Sequence, residues 1–300
     1  MKKVVITGST GMIGLALTKI LIKEKVECLL IVRKNSTKLD KIPNDDLIKV
    51  VECDLNELKQ LEYPESDFDA FFHLGWDATI GNGRDNVYLQ KNNIEYTLDA
   101  VALAKRLGCK TFVGTGSQAE YGIKFEMLTA ETPCVPLTGY GIAKYSAGML
   151  SRLYCNQIGI KHCWARILSI FGENDNPNTL ISYVINSLNN GISPMVTKCE
   201  QDWDYLYVDD CANALKLIAQ FGINNKVYPI GSGRTRKLYE YLEDIKLVYN
   251  SNIEIGYGKK DYNPNQVMYL CANIDELSND TGFTPKYSFI DAIKKIKNNN

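Results

Sequence analysis

The chain has 300 residues, 34 Lys+Arg against 35 Asp+Glu, and a formal net charge of −1. At 45% hydrophobic and 23% charged residues it has the composition of a globular protein with ample residues for a core, and the balanced charge argues against nucleic acid as its main partner. No stretch nears the roughly 20 apolar residues of a membrane span, and nine scattered cysteines without a CxxC pair, with only two histidines, suggest neither a disulfide framework nor a metal site.

In chain order, the N-terminal MKKVVITGSTG has an apolar run too short for a signal peptide. A cytoplasmic protein with reduced thiols is therefore expected. Val4–Thr7 reads as a buried strand ending at Gly8. Residues 12–24 carry Ile13, Leu17, Ile20 and Leu21 at helical spacing. Strands follow over Cys28–Val32, 48–53 and Ala70–Leu74, then a helix over 92–107. A fifth strand over Lys110–Gly114, a helix over 141–158 and a sixth strand over 163–168 complete the regular part. Strands alternating with helices predict parallel pairing in a doubly wound α/β sheet. Beyond about residue 171, Pro177, Pro194, Pro229, Pro264 and Pro285 punctuate the pattern, with helical stretches near 179–190, 209–221, 236–249 and 288–297. This part is too irregular for an independent domain and reads as a cap at the C-terminal edge of the sheet. The predicted division is 1–171 and about 200–231 for a dinucleotide-binding unit, and about 172–199 and 232–300 for a substrate cap.

The segment VVITGSTGMIG places Gly8, Gly11 and Gly14 between the first strand and the first helix. Gly8 suits the tight turn, Gly11 lets backbone approach a pyrophosphate, and Gly14 permits close helix–strand packing. The spacing is GxxGxxG, and no GK[ST] follows. A plain glycine turn is the competing reading; the position in a first βα turn favours dinucleotide binding. An NAD site expects an acid at the end of the second strand to hold the ribose 2′-hydroxyl. Here that place holds Val32, followed by Arg33 and Lys34. A guanidinium suits a 2′-phosphate, so NADP is expected over NAD, against the reading of Arg33 and Lys34 as solvated loop charges.

Tyr140-Gly-Ile-Ala-Lys144 opens a helix with both side chains on one face. A nearby ammonium lowers a phenol's pKa and fits it to shuttle a proton. Ser117, at the end of the preceding strand segment, can hydrogen-bond the same reacting oxygen.

With these motifs in place, the sequence resembles an extended short-chain dehydrogenase/reductase of the nucleotide-sugar epimerase/dehydratase group. The matching segments are TGSTGMIG (7–14), CDL (53–55), FHLGW (72–76), NNIEYTL (92–98), GSQAEYG (116–122), YGIAK (140–144), ARILSIFG (165–172), DYLYVDD (204–210) and YPIGSG (228–233). The resemblance implies a Rossmann-type fold with Tyr140 as general acid/base, Lys144 as its electrostatic partner and Ser117 on the substrate oxygen. It also implies cofactor contacts from Gly8, Thr10, Gly11, Met12, Ile13, Gly14, Arg33, Lys34, Asp54, Leu55, Leu74, Gly75, Trp76, Asn93, Thr115, Tyr140, Lys144 and Ile167, with Leu168 nearby. His73 reads as a packed strand-end residue. The implied partner is a nucleotide-diphosphate sugar, the implied assembly a homodimer built from two helices per subunit, and the implied setting deoxysugar supply for a surface polysaccharide.

The departures from the group narrow the reaction. The 4,6-dehydratases carry a glutamate before the equivalent of Tyr121, where this chain has Gln118 and Ala119. Glu120, in a strand-like stretch, would face the other way. Dehydration is therefore disfavoured. A 4-ketoreductase using NADPH is the leading expectation, a 4-epimerase with tightly bound NAD the alternative, and a non-catalytic dinucleotide sensor a remote third. Ser169, Gln201 and the segment around Asn263 and Gln266 stand where phosphate-gripping Asn and Arg residues are expected. Lys259, Lys260, Arg234 or Arg236 could compensate. Gln118, Ser169, Gln201, Trp203, Tyr205, Asn263 and Gln266 are the candidate substrate contacts, with core packing an equal reading for the aromatics.

Overall fold

The computed structural model describes residues 1–299. Its strands are β1 (Lys3–Thr7), β2 (Glu27–Val32), β3 (Ile48–Glu52), β4 (Ala70–His73), β5 (Thr111–Ser117), β6 (Lys161–Ile167), β7 (Ser169–Phe171), β8 (Asp202–Trp203), β9 (Tyr205–Tyr207), β10 (Lys226–Ile230), β11 (Arg236–Lys237) and β12 (Tyr269–Leu270). Its helices are α1 (Met12–Lys23), α2 (Val87–Arg106), α3 (Gly139–Ile158), α4 (Leu180–Asn189), α5 (Val208–Phe221), α6 (Leu238–Val248), α7 (Asp275–Thr281) and α8 (Phe289–Asn299). None of the described helices is long and apolar enough to cross a membrane.

Seven strands form one parallel sheet in the order β3-β2-β1-β4-β5-β6-β10. This is the doubly wound Rossmann arrangement that the alternating pattern predicts. The winding reverses between β1 and β4, which opens a crevice at their C-terminal ends. Both faces are covered, so the strands are apolar throughout. Val4 and Ile6 face a core shared with Leu17 and Leu21 of α1 and Leu215 and Ile218 of α5. Val5 faces the opposite core with Ala100, Val101 and Ala104 of α2.

The differences from the sequence expectations have local causes. Helix α2 starts five residues before the predicted 92, because Asn86 caps it by accepting the Leu89 N–H at 3.2 Å. Its first turn exposes Val87, Tyr88 and Leu89, so no buried stripe marks the start. Pro229 lies inside β10 instead of ending an element. An edge strand tolerates the missing donor. Beyond β6, β7 pairs with β9, and β8 pairs with β11 and β12 in a small sheet. The residues at the start of the 200–231 stretch thus build this small sheet, while α5 and β10 join the main body.

Candidate active site

The glycine turn is shaped by close backbone approaches. Gly8 has φ +69°, and a Cβ there would lie 2.7 Å from Gly75 N. A Cβ on Gly14 would lie 2.4 Å from Gly8 O. Gly11 stands at the N-cap of helix α1, which has no side-chain cap and no acid in its first turn. Its first N–H groups and positive dipole end therefore remain for an anion. The buried Ser9 hydroxyl beside them has no partner. A cavity of about 460 Å³ opens here, between Gly8, Thr10 and Gly11 on one side and Gly75, Trp76 and Asp77 on another. The fit to a dinucleotide rests on this bare cradle and the uncapped helix end. Of the other turn residues, Met12 and Ile13 are half-buried. The Met12 side chain faces a separate small cavity beside Val208 and Lys295.

At the far end, the cavity is walled by Val32, Arg33, Ser36, Thr37, Lys38, Asp54 and Leu55. Lys34 departs from expectation. Its ammonium pairs with Glu57 at 2.6 Å, outside this cavity. Its backbone N–H is held by Asp54 at 3.1 Å. Lys38 takes the place in the wall expected for Lys34, and sequence spacing gave no sign of this, because a turn carries the chain back through Ser36.

Asn93 fixes the loop after β4. It accepts the Asp77 N–H at 2.8 Å and donates to Asp77 O at 3.0 Å. Trp76, next to Asp77, donates from its indole to Gln90 at 3.0 Å. The Trp76 ring meets Tyr140 edge to face at 6.0 Å and lies 3.8 Å from Lys144 Nζ.

Thr138 caps α3 and starts it one residue before Tyr140. Lys144 donates to the Thr115 carbonyl at 2.7 Å. Burial pulls its pKa down to about 7. Burial pushes the Tyr140 phenol up, while a hydrogen bond with Ser117 and the charge of Arg84 act against that rise. Ser117, Tyr140 and Lys144 are thus brought together at the C-terminal end of β5. Leu74 donates to Thr7 O, and Ile167 closes β6 nearby. His73 is buried, sharing a hydrogen bond with Thr7 at 2.9 Å and stacking on Phe112. Burial lowers its pKa to about 3, which makes it a neutral packing residue.

Glu120 corrects the strand-like reading. Residues Gln118–Glu120 form a short 3₁₀ turn, capped by Ser117. The turn swings Glu120 inward to full burial. It accepts the Ser117 N–H at 2.8 Å, the Trp164 indole at 3.1 Å and Arg166 Nε at 2.6 Å. A Cβ on Gly116 would lie 2.1 Å from its carboxylate. The acid is therefore held in a structural pair. Gln118 is half-buried on the same turn.

A second cavity of about 510 Å³ lies among the short strands and α4. Gln201, Trp203, Tyr205 and Gln266 line it, as do Tyr183 and Lys260. The side-chain amide oxygen of Gln201 is buried without a partner. Trp203 donates to Ser169 Oγ at 2.8 Å. Tyr205 also packs edge-on against Tyr241 and Phe171, so it serves the core as well as the wall. Asn263 is exposed, caps its own turn and lies outside this cavity. Among the proposed compensating cations, Lys260 lies over the Tyr183 ring at 4.9 Å, while Arg236 is engaged by Asp244 and Glu240. Among the described residues no cluster of three potential metal ligands occurs.

A sequence profile of the NAD dependent epimerase/dehydratase family matches residues 4–231. The chain is 24% identical over 309 residues to the CDP-abequose synthase of Salmonella muenchen, covering 98% of this chain and 97% of that protein. It is 25% identical over 310 residues to a putative UDP-glucose 4-epimerase of Methanocaldococcus jannaschii, covering 99% of each. Among solved structures, it is similar to UDP-N-acetylglucosamine 4-epimerase from Methanobrevibacter ruminantium M1 in complex with UDP-N-acetylmuramic acid. That match has a TM-score of 0.89 at 25% identity and covers 98% of this chain and 96% of the other. With the profile matching well over half its length, the chain belongs to the NAD dependent epimerase/dehydratase family.

Proposed function

We propose that this member of the NAD dependent epimerase/dehydratase family is a 4-ketoreductase for a nucleotide-activated sugar, working with NADPH. The observation that carries the reading is the cavity wall at the end of β2, where Arg33 and Lys38 stand and no carboxylate occupies position 32. A permanent guanidinium there favours a 2′-phosphate over a bare hydroxyl. When bound, the dinucleotide supplies the hydride to the sugar carbonyl carbon.

The chain's own residues handle the proton. The Tyr140 O–H bond breaks, its proton passes to the carbonyl oxygen, and the electron pair stays on the phenol oxygen. Ser117 supports the same oxygen from the end of β5 and interacts with the phenol directly. Lys144 holds position against Thr115 O and Trp76. Asn93 keeps Trp76 and Asp77 in register with this group. Elimination of water needs a further free acid or base. Gln118 and Ala119 offer none, and Glu120 is committed to Arg166, so dehydration is disfavoured.

The second cavity is the proposed place of the nucleotide-sugar, held by Gln201, Trp203, Gln266 and Lys260. The exposed apolar side chains Ile142, Met149, Leu150 and Leu153 of α3 support a homodimer formed through α2 and α3. Light scattering on the purified protein tests that assembly.

A second reading, 4-epimerisation with retained NAD, is favoured by the full-length similarity to the methanogen 4-epimerase. The deciding experiment mixes the protein with NADPH and a 4-keto-6-deoxy nucleotide sugar. Stoichiometric loss of reduced nicotinamide absorbance with formation of the 4-hydroxy sugar supports the reductase. In a parallel mixture with a 4-hydroxy nucleotide sugar and no added NADPH, interconversion of its 4-epimers without net redox supports the epimerase.

A further inference from the structure

The segment between β4 and α2 brings a guanidinium to the face of Tyr140. Arg84 Cζ lies 4.4 Å from the centre of the Tyr140 ring. Arg84 is tied to its own loop by donating to the Thr79 carbonyl at 3.2 Å. The neighbouring Asp85 accepts the Gly139 N–H at 3.1 Å, one residue before Tyr140. Gly139 lets the segments touch, because a Cβ there would lie 3.1 Å from Arg84 O. The loop is thus pinned to the mouth of α3 with its cation on the phenol.

The other charges around this ring come from three elements. Glu120, on the turn after β5, disfavours a phenolate. Asp85 faces the start of α3. Lys144 follows one turn along α3, but burial makes its ammonium shed a proton near neutrality. Ser117 contributes a neutral hydroxyl. Arg84 brings to the ring a guanidinium, the side-chain cation that proteins do not deprotonate.

We propose that Arg84 is a positioning residue for Tyr140, a permanent cation that seats the ring and favours the phenolate left after proton transfer. This rests on the reading of Tyr140 as the acid/base. The cation is attracted to the ring face, and an opposite charge at this range lowers an acid's pKa. The electron pair that stays on the phenol oxygen is the charge Arg84 offsets. Nothing in the sequence marks Arg84, because its approach to Tyr140 spans 56 positions of chain folded together only in three dimensions.

The test needs no sugar substrate. Phenolate absorbance is titrated in the full-length protein with NADP+ or NAD+ bound, in wild type, Tyr140→Phe, Arg84→Gln and Arg84→Lys. The difference between each protein and its Tyr140→Phe counterpart isolates one tyrosine. The expected result is a midpoint moved to higher pH by about one unit or more in Arg84→Gln, and restored toward wild type in Arg84→Lys. An unchanged midpoint in a folded Arg84→Gln protein overturns the proposal and leaves the role of Tyr140 intact. If wild type and Tyr140→Phe titrate identically, the acid/base reading falls and this inference with it. Arg84→Met, which keeps the aliphatic stem, gives the same discrimination where Arg84→Gln does not fold.

Discussion

Lys144 Nζ lies 3.8 Å from the centre of the Trp76 ring, so the indole covers the amine that donates to the Thr115 carbonyl. A cation over an indole is worth about 0.5–2 kcal/mol depending on how dry it is. Trp76 also walls the first cavity, Trp203 walls the second, and Trp164 is buried against Glu120. The three tryptophans therefore report three places. Binding of the oxidised dinucleotide is expected to change the fluorescence of Trp76, and Trp76→Phe should abolish that change. A nucleotide-sugar should act on Trp203 instead, and the signal should survive in Trp76→Phe. A dinucleotide signal carried by Trp203 would contradict the assignment of the two cavities.

Tyr140→Phe removes the hydroxyl of the proposed proton donor but leaves the ring, its contact with Trp76 and the first cavity in place. Turnover should fall by about 10²–10⁴-fold, the usual worth of a positioned acid/base. Dinucleotide affinity should stay within about twofold of wild type. Parallel rate and binding measurements check this, and a comparable loss of both would assign Tyr140 to binding.

Glu120 and Arg166 form a buried pair, 0% and 5% exposed at the side chain. Arg166→Met strands the carboxylate, and breaking such a pair costs about 3–5 kcal/mol. Adding Glu120→Gln should recover part of that loss, because no bare charge then remains buried. Urea unfolding of the single and double variants measures both. A single variant as stable as wild type would show that the pair is not what holds the turn after β5.

Stability should fall as the solution is acidified from about pH 7 to pH 5. Burial lowers the pKa of both His73 and His162 to about 3. The unfolded chain takes up protons near pH 6.5, so below that pH it binds more protons than the native state. The loss approaches about 1.4 kcal/mol per pH unit for each histidine. His162 stacks between Phe112 and Trp164, and His162→Phe preserves that stacking while removing its share of the slope. Unfolding free energies across this range that stay flat would contradict the buried neutral state.

The parts of the fold that sequence reveals are those with a long period or a rigid spacing. The apolar runs of β1, β2 and β4 to β6 stand out because both faces are covered. The YGIAK spacing (140–144) puts Tyr140 and Lys144 on one helical face whatever surrounds them. The strands β8, β11 and β12 have two residues each, too short to show any period. The pairing of Lys34 with Glu57 and the inward turn of Glu120 depend on partners distant in sequence. The position of Arg84 over Tyr140 depends on a loop docking against α3. Such relationships arise from tertiary packing, and local patterns do not encode them.

The most direct test of the account is the dinucleotide preference of the protein. Nucleotide released by denaturing the purified protein is identified, and the emptied protein is titrated with NADPH and NADH, in wild type and Arg33→Ser. NADPH is expected to bind more tightly than NADH, a preference that falls by about ten- to a hundredfold in Arg33→Ser, as loss of a charge-assisted contact implies. NADH affinity should hardly move. Tightly retained NAD, with no preference for the phosphate and no effect of Arg33→Ser, would contradict the reductase reading and point to a self-recycling epimerase.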